Sequence, residues 1–332
     1  MDIEFHYWIT GIIANRARFT EEDAKVIAYS CQYTDDNDEI RTIKDPGTKE
    51  EYSNYISQTM DILKPKRTLM RIYPIFHFLP GDPSAVSARR RDGKMHVLVT
   101  TPDNERARTV LSNALQMDTH DSQRLYRIGI ASHAYADTWA HQNFVGWYDG
   151  FNGEALNPLP NIGHADFMHH PDWPGHRWQD PRIIQGDVNN NHRFLDAAKR
   201  LYEEYSRANG TYDLATCDQL VSAVGTAMGP VASGDDNAGL KDRLKRYHDL
   251  APWLPEYDQH RWFSDAVDTK VRGLPDTILP SVTIFKDEHT WKGPKETTRW
   301  YRFQEAVKAH QDLCMGLLKD IFDQMGVDLH QH

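Results

Sequence analysis

The chain has 332 residues, of which 39% are hydrophobic, and a formal net charge of −10 at pH 7. This length can bury one large core, so we expect a single domain over residues 1–332, with residues 1–210 carrying the site and residues 211–332 completing the helical core. The acidic balance offers no basic patch for nucleic acid or an anionic membrane, but it leaves room for phosphate chemistry assisted by bound cations.

No run of residues approaches the roughly 20 apolar residues that span a bilayer. The N-terminal MDIEFHYWITGIIANRARFT also lacks the basic start and uninterrupted apolar stretch of a signal peptide. A cytoplasmic location is therefore expected, with signal-independent export left open. The three cysteines, Cys31, Cys217 and Cys314, form no C-x-x-C pair, so we expect buried thiols and a metal, if any, held by nitrogen and oxygen.

Helical patterns dominate in chain order. Thr20 predicts an N-cap, and apolar positions at helical spacing continue to about Tyr33. Six further helices are predicted over residues 103–117, 118–142, 191–209, 211–228, 239–250 and 297–325. Only residues 94–101 and 279–286 resemble strands, and 147–191 is predicted as a long irregular loop. The expected fold class is all-α, a multi-helix bundle with long irregular loops and at most a small β-hairpin.

The strongest motif is HAYADTWAH, which places His133, Asp137 and His141 one turn apart on one helical face. Imidazole, carboxylate and imidazole in that order can serve two adjacent cations, with Asp137 bridging them. Gly129, one turn earlier, would let another element approach closely. A solvated ion pair is the structural alternative, but this helix carries few other charges, so we favour a metal site.

Other candidate ligands lie in apolar surroundings, where an unpaired polar side chain is costly to bury. They are His6, His77 and Asp35, of which Asp35 continues the apolar face of the first helix beside Asp36. A satisfied core histidine is the alternative for His6, and a helix C-terminal turn is the alternative for the two aspartates. The segment GHADFMHHPDWPGH is expected to supply one or two ligands from His164, Asp166, His169, His170, Asp172 and His176.

The chain resembles a family of uncharacterised bacterial proteins, domain of unknown function 6765, over about residues 1–210, in the segments DIEFHYW, IAYSCQYTDD, HAYADTWAHQNFVG, NIGHADF and NHRFLDAAKRLYEEY. More remotely, the order of its candidate ligands resembles the zinc-dependent phospholipase C and S1/P1 nuclease superfamily, an all-helical fold of trinuclear-zinc phosphoesterases. That resemblance implies metal ligands at His6, Asp35 or Asp36, His77, His133, Asp137, His141 and His164.

The chain departs from the superfamily pattern at three points. The superfamily uses a terminal amine as a ligand, and a chain that begins Met1-Asp2 is expected to lack it. The second histidine of the helix motif follows Asp137 by four residues, where the superfamily has a wider gap. The later pair of histidine and acid is replaced by His164 with Asp166, or by Asp172 further on. Two ions are therefore favoured over three.

The expected function is metal-assisted hydrolysis of a phosphoester by two or three divalent ions, with zinc favoured and manganese or iron possible. The first ion is assigned to His77, His133 and one of Asp35 and Asp36. The second is assigned to His141 and His164, with His6 completing it or forming a weaker third site. The predicted catalytic acids are Asp137 as the bridge and Asp166 or Asp172 as the general base.

The expected substrate is a small molecule or lipid-like, with no specific nucleic acid, and the sequence does not predict the oligomeric state. One alternative is a non-haem di-iron or di-manganese oxidase or oxygenase, which is disfavoured because no E-x-x-H pair stands out. The other is a non-catalytic metal-binding or toxin-like effector protein, whose metal coordination would be saturated.

Overall fold

A central helix, Arg124–Ala140, organises the computed structural model, which describes residues 1–59, 69–153, 161–271 and 287–328. Every side chain of this helix is buried except those of Leu125 and Arg127. The helix Glu21–Asp36 packs along it, and further helices cover its other sides. Polar side chains on so buried a helix must find partners inside the protein, because burying them unpaired is costly.

The described helices begin and end close to the predicted bounds. Thr20 caps the helix Glu21–Asp36, since its side-chain oxygen accepts a hydrogen bond from the Asp23 N–H, as predicted. The other α-helices are Thr10–Arg16, Glu105–Leu115, Asn190–Ala208, Leu214–Met228, Leu240–Leu250, Arg261–Ala266, Arg299–Leu317 and Lys319–Gln324. The described residues also form two π-helical segments, Glu4–Ile9 and Tyr73–His77, and three 3-10 turns, Val86–Ala88, Ala165–Phe167 and Lys295–Thr297.

The all-α prediction is wrong, because the protein is mixed α/β with about 51% helix and 10% strand. The described strands are β1 Thr42–Lys44, β2 Glu51–Ser53, β3 Tyr148–Asp149, β4 Asn161–Ile162, β5 Arg177–Gln179, β6 Asp187–Asn189, β7 Val267–Lys270 and β8 Glu288–Trp291. Four of them form a mixed sheet in the order β2-β1-β8-β7, in which β1 and β8 run parallel and the other neighbours antiparallel. The pairs β3-β4 and β5-β6 form two separate antiparallel ribbons.

Two local predictions also need correction. Residues 94–101 form no strand, and only Val99 and Thr100 make isolated bridges, to Val145 and Pro80. The predicted helix over 297–325 is interrupted at Leu318, between the helices Arg299–Leu317 and Lys319–Gln324. The other predicted strand, 279–286, lies outside the described residues.

Residues 147–191 contain more regular structure than a long irregular loop. The two ribbons and the 3-10 turn Ala165–Phe167 lie within the described part of this segment. A small apolar cluster beneath it holds Phe78, Phe144, Phe167, Trp178 and Val188. The main apolar core draws on residues from Met1 to Phe322. No helix of the described chain is long and apolar enough to span a membrane, in agreement with the prediction.

Gly129 sets the distance between the two most closely packed helices. A Cβ atom at Gly129 would lie 2.4 Å from the Ser30 Cβ and 2.6 Å from the Ile27 carbonyl oxygen, both on the helix Glu21–Asp36. The predicted close approach at this glycine is therefore confirmed. The close approach of the two helices brings Cys31 and Asp35 against the polar face of the central helix.

Candidate metal centre

Eight polar side chains meet along one face of the central helix. We call them the candidate metal centre: His6, Asp35, His77, His133, Asp137, His141, His164 and Asp172. They include two clusters whose ligand atoms lie within 4.8 Å of one another. The inner group is Asp35, His77 and His133, and the outer group is His141, His164 and Asp172.

The inner group joins three elements. Asp35 ends the helix Glu21–Asp36, His77 ends a π-helical segment, and His133 lies on the central helix. The Asp35 Oδ1 lies 3.5 Å from the His133 Nε2 and 3.6 Å from the His77 Nδ1. Both imidazoles are buried, whereas Asp35 is 25% exposed. The group therefore opens on its Asp35 side, into a cavity of about 200 Å³ that Asp35 helps to line.

Asp137 lies between the inner group and the N-terminal segment. Its Oδ2 is 3.2 Å from the His133 Nε2 and 3.4 Å from the His77 Nδ1. Its Oδ1 is 3.2 Å from the His6 Nε2 and forms an ion pair with the amino group of Met1. The carboxylate is almost fully buried, and its two oxygens face different partners, which is the geometry expected of a bridging ligand.

The outer group is centred on Asp172. Its Oδ1 lies 3.3 Å from the His141 Nε2, and its Oδ2 lies 3.3 Å from the His164 Nε2. The Met1 amino nitrogen is 3.4 Å from the Asp172 Oδ1. Two imidazoles and a carboxylate, drawn from the end of the central helix and from the segment 164–172, thus face one point.

Hydrogen bonds fix which nitrogen of four histidines faces the centre. In each of these histidines, one ring nitrogen is within hydrogen-bonding distance of a backbone carbonyl oxygen. A carbonyl oxygen can only accept, so that nitrogen must carry the proton. The bonds run from the His133 Nδ1 to the Cys31 O (2.8 Å), the His77 Nε2 to the Ser57 O (2.9 Å), the His141 Nδ1 to the His77 O (2.6 Å) and the His164 Nδ1 to the Met168 O (2.6 Å). In the neutral imidazole, the other nitrogen, which faces the centre, is therefore unprotonated and presents a lone pair.

Two of these lone pairs face each other. The His133 Nε2 and the His77 Nδ1 are 3.0 Å apart, and both opposite nitrogens donate to carbonyls. Two neutral rings so arranged repel each other, and only a proton or a cation held at this point relieves the repulsion. The Asp35 and Asp137 carboxylates beside them add negative charge that a cation would neutralise.

His6 and Met1 occupy the space between the two groups. The His6 Nε2 is buried without a hydrogen-bond partner of good geometry, while its Nδ1 faces the Cys31 sulfur at 3.5 Å. The amino group of Met1 is buried against Asp137 and Asp172. Burial lowers the pKa of this amino group, but Asp137 and Asp172 raise it to about 11, so the group is an ammonium ion at neutral pH and has no lone pair for a metal ion.

Burial and charge shift the protonation of these groups in opposite directions. Burial lowers the pKa of His6 to about 4 and that of His164 to about 4. Burial alone would raise the pKa of Asp137, but His141, the Met1 amino group and His133 hold it well below its usual value. Burial would lower the pKa of His133, but Asp35 and Asp137 raise it well above its usual value, so without a cation this ring carries the proton that faces His77. The centre therefore combines an ionised carboxylate and two neutral imidazoles with one imidazole from which a metal ion would have to displace a proton.

The second of the two adjacent aspartates lies outside the centre. The Asp36 Oδ2 accepts hydrogen bonds from the Tyr257 hydroxyl at 2.7 Å and from the Gln32 amide at 3.1 Å. The sequence left Asp35 and Asp36 as equal candidates, and the structure brings only Asp35 to the histidines.

The histidine-rich segment divides between the centre and a neighbouring cavity. Asp166 and His170 line a cavity of about 440 Å³ apart from the two groups. The His170 Nδ1 lies 2.8 Å from the His176 Nε2, so these two imidazoles pair with each other. His169 is largely exposed, with its Nδ1 3.7 Å from Asp172. From this segment only His164 and Asp172 lie in the centre, and the expectation that the segment supplies one or two metal ligands stays a prediction.

The sequence located Asp172 and the Met1 amino group less precisely than the other groups near the centre. Asp172 was predicted either as a ligand from its segment or as a general base, and it lies between two imidazoles. Its place eight residues after His164 follows no regular spacing, because the segment between them turns irregularly. The position of the Met1 amine has no sequence signal beyond the apolar residues that follow it, which bury the N-terminal segment.

Fold and site together define a mainly helical α/β protein with a buried His/Asp cluster whose nitrogen and oxygen donors suit divalent cations. The chain matches the family described as "Family of unknown function (DUF6765)" over residues 1–318, and it belongs to that family. No curated protein and no solved structure matches it. The resemblance to this uncharacterised family is thereby confirmed, over a longer stretch than residues 1–210.

Proposed function

We propose that this protein is a metal-dependent hydrolase that acts on a phosphoester, with divalent cations held at the candidate metal centre. The observation that supports this most directly is the pair of facing nitrogens of His77 and His133. Both rings are oriented by carbonyls so that their lone pairs meet 3.0 Å apart, next to two carboxylates. Such an arrangement is unfavourable without a positive charge between the rings.

The donor set favours zinc. The imidazole nitrogens and carboxylate oxygens of the two groups suit zinc, manganese or iron, and the Cys31 sulfur, which lies within 4.8 Å of a ring nitrogen of His6 and of His133, would also suit zinc. The carbonyl bonds behind His77, His133, His141 and His164 are the outer contacts that metal-ligating histidines usually make. The inner and outer groups would hold one ion each, and His6 with the Oδ1 of Asp137 offers a third position.

In this proposal, the ions would polarise a phosphoryl oxygen and lower the pKa of a bound water. Asp137 presents one oxygen to the inner group and the other to His6, and so would hold the ion of the inner group and an ion at His6 at a fixed separation. Asp35 faces the cavity and is placed to accept a proton from a water that attacks there. Asp35 and Asp172 each lie beside two imidazoles, but Asp35 is 25% exposed towards its cavity whereas Asp172 is 9% exposed, and Asp166 lines a different cavity, so we assign the role of base to Asp35.

Elemental analysis of purified protein without a histidine tag tests the metal centre. We expect two or more equivalents of zinc or manganese in the parent protein, and loss of at least one equivalent in Asp137→Asn and in His133→Ala. Asp35→Asn and Asp36→Asn form a matched pair of neighbouring acids. Only the Asp35 variant should lose metal and the hydrolysis of bis(p-nitrophenyl) phosphate.

Three results would decide against the proposal. A parent protein that binds no metal after reconstitution removes the centre itself. Full metal content without hydrolysis of any phosphoester leaves a non-catalytic metal-binding protein. Iron as the only tightly bound metal, with oxygen-dependent colour, favours the oxidase or oxygenase alternative.

A further inference from the structure

Arg193 lies beside the outer group with an incomplete set of partners. Its Nη2 donates to the Ala140 carbonyl at 3.0 Å, and Ala140 directly precedes His141. Its Nε is buried and has no hydrogen-bond partner. Among the described residues no carboxylate lies within ion-pairing distance of its guanidinium. A partly buried arginine in this condition is costly, because its charge has no partner carboxylate and its buried Nε–H has no acceptor.

The start of the helix Asn190–Ala208 positions Arg193 between the segments that supply the outer group. The Asn190 amide donates to the carbonyls of His170 at 2.7 Å and Trp173 at 2.9 Å, and so holds the segment that carries Asp172. Arg193 follows one turn later and contacts the end of the central helix next to His141. The guanidinium therefore sits where these two segments meet.

Arg193 lies in the first turn of the helix Asn190–Ala208, at the end of the helix dipole that favours an anion. The buried guanidinium of Arg182 is already paired with both oxygens of Asp180, at 2.9 and 2.8 Å. Burial lowers the pKa of Arg193 to about 10, and Arg182 lowers it as well, while Asp180 and Asp172 act the other way.

We propose that Arg193 is an anion-binding residue of the site, which donates from its free Nε edge to an oxygen of the phosphoryl group held at His141, His164 and Asp172. The inference rests on the proposed function, and it adds the residue that recognises the charge of the substrate. Guanidinium presents a planar fork that matches two phosphoryl oxygens, which a point charge such as lysine does not. The bond to Ala140 orients the fork through Nη2 and leaves the Nε–H to donate.

Binding of inorganic phosphate to the zinc-loaded protein, measured by titration calorimetry, tests this role. Arg193→Gln should weaken phosphate binding roughly ten- to hundredfold, as expected for the loss of hydrogen bonds to a charged group. Its metal content should stay at the parent value. Arg207→Gln is the matched control, because Arg207 lies on the same helix, is 54% exposed and pairs with Glu203. That control should leave phosphate affinity unchanged.

Arg193→Lys covers the case in which the glutamine variant fails to fold. Lysine can still donate to the Ala140 carbonyl, so the fold and the metal should be retained while the loss of the fork weakens phosphate binding. Parent-like phosphate affinity in whichever of the two variants folds with full metal content overturns the inference.

The metal content of every sample separates this inference from the proposed function. If the parent protein holds no metal yet binds phosphate through Arg193, the hydrolase proposal fails and the anion site stands. If the parent holds its metals and its phosphate affinity does not depend on Arg193, the anion site fails and the hydrolase proposal stands.

Discussion

Among the histidines of the centre, His6 differs from the rest in the atom behind it. His77, His133, His141 and His164 each donate to a carbonyl, whereas the His6 Nδ1 faces the Cys31 sulfur at 3.5 Å. The Thr10 hydroxyl donates to the Phe5 carbonyl at 3.0 Å, so towards Cys31 it can only accept. The single S–H can therefore point to Thr10 or to His6, and both tautomers of His6 are open.

Cys31→Ala should weaken metal binding at His6 roughly ten- to hundredfold, because an outer partner of a ligating histidine is lost. Competition with a chelator, followed by elemental analysis, measures this effect. Cys217→Ala is the control, since Cys217 is also buried but is absent from the centre. Equal metal retention in the two variants would show that the thiol does not position His6.

Much of the site could be predicted at the scale of residues, because helical spacing alone brings His133, Asp137 and His141 to one face. Isolated polar residues in apolar surroundings identified His6 and His77 for the same physical reason, the cost of burying them unpaired. The choice between Asp35 and Asp36 was left open, because the two residues are adjacent on the same helix. The hydroxyl that bonds to Asp36 belongs to Tyr257, which comes from a distant part of the chain.

At the scale of elements, helix ends were predictable and strand pairs were not. Thr20 signals its cap within four residues of sequence, and the cap forms as predicted. Strand β1 has a single buried residue, Ile43, and its parallel partner β8 lies about 245 residues further along the chain. No local pattern carries that information, so the sheet that overturns the all-α prediction was invisible in the sequence.

Gly129→Ala tests the packing of the central helix against Glu21–Asp36. The added methyl group would meet the Ile27 carbonyl and Ser30, so the helices must separate, and we expect a loss of about 1–3 kcal/mol in the free energy of unfolding. Urea denaturation of the metal-free protein measures it. Gly225→Ala is the matched control, because a Cβ there meets only Leu195 at 3.4 Å or more, and it should be neutral or stabilising. Equal stability of the two variants would contradict this account.

At the scale of the whole molecule, the C-terminal half holds the N-terminal segment in place. The Arg243 Nε and Nη2 donate to the two carboxylate oxygens of Glu4 at 2.7 and 3.0 Å, and both side chains are buried. Burial raises the pKa of Glu4, while Arg243 lowers it. Since Glu4 lies between Met1 and His6, this ion pair connects residues 240–250 to the centre.

Arg243→Ala should destabilise the protein by about 3–5 kcal/mol, because it leaves a buried carboxylate without its partner. The loosened N-terminal segment should also lower the metal affinity at His6. Thermal unfolding and metal content are the two measurements, and the exposed Lys245→Ala on the same helix should change neither. An unfolding midpoint that matches that of the parent protein would show that the ion pair of Glu4 and Arg243 does not hold the N-terminal segment in place.

The centre draws its side chains from segments far apart in sequence, from His6 through Asp35, His77 and the central helix to Asp172. Ions bound there would act as reversible cross-links between stretches of chain that share no covalent tie. A partly synthesised or misassembled chain would present only fragments of a coordination sphere, with correspondingly poor retention of metal. Metal uptake would then report that the distant parts of this protein have come together correctly, and stability would rise with the supply of metal.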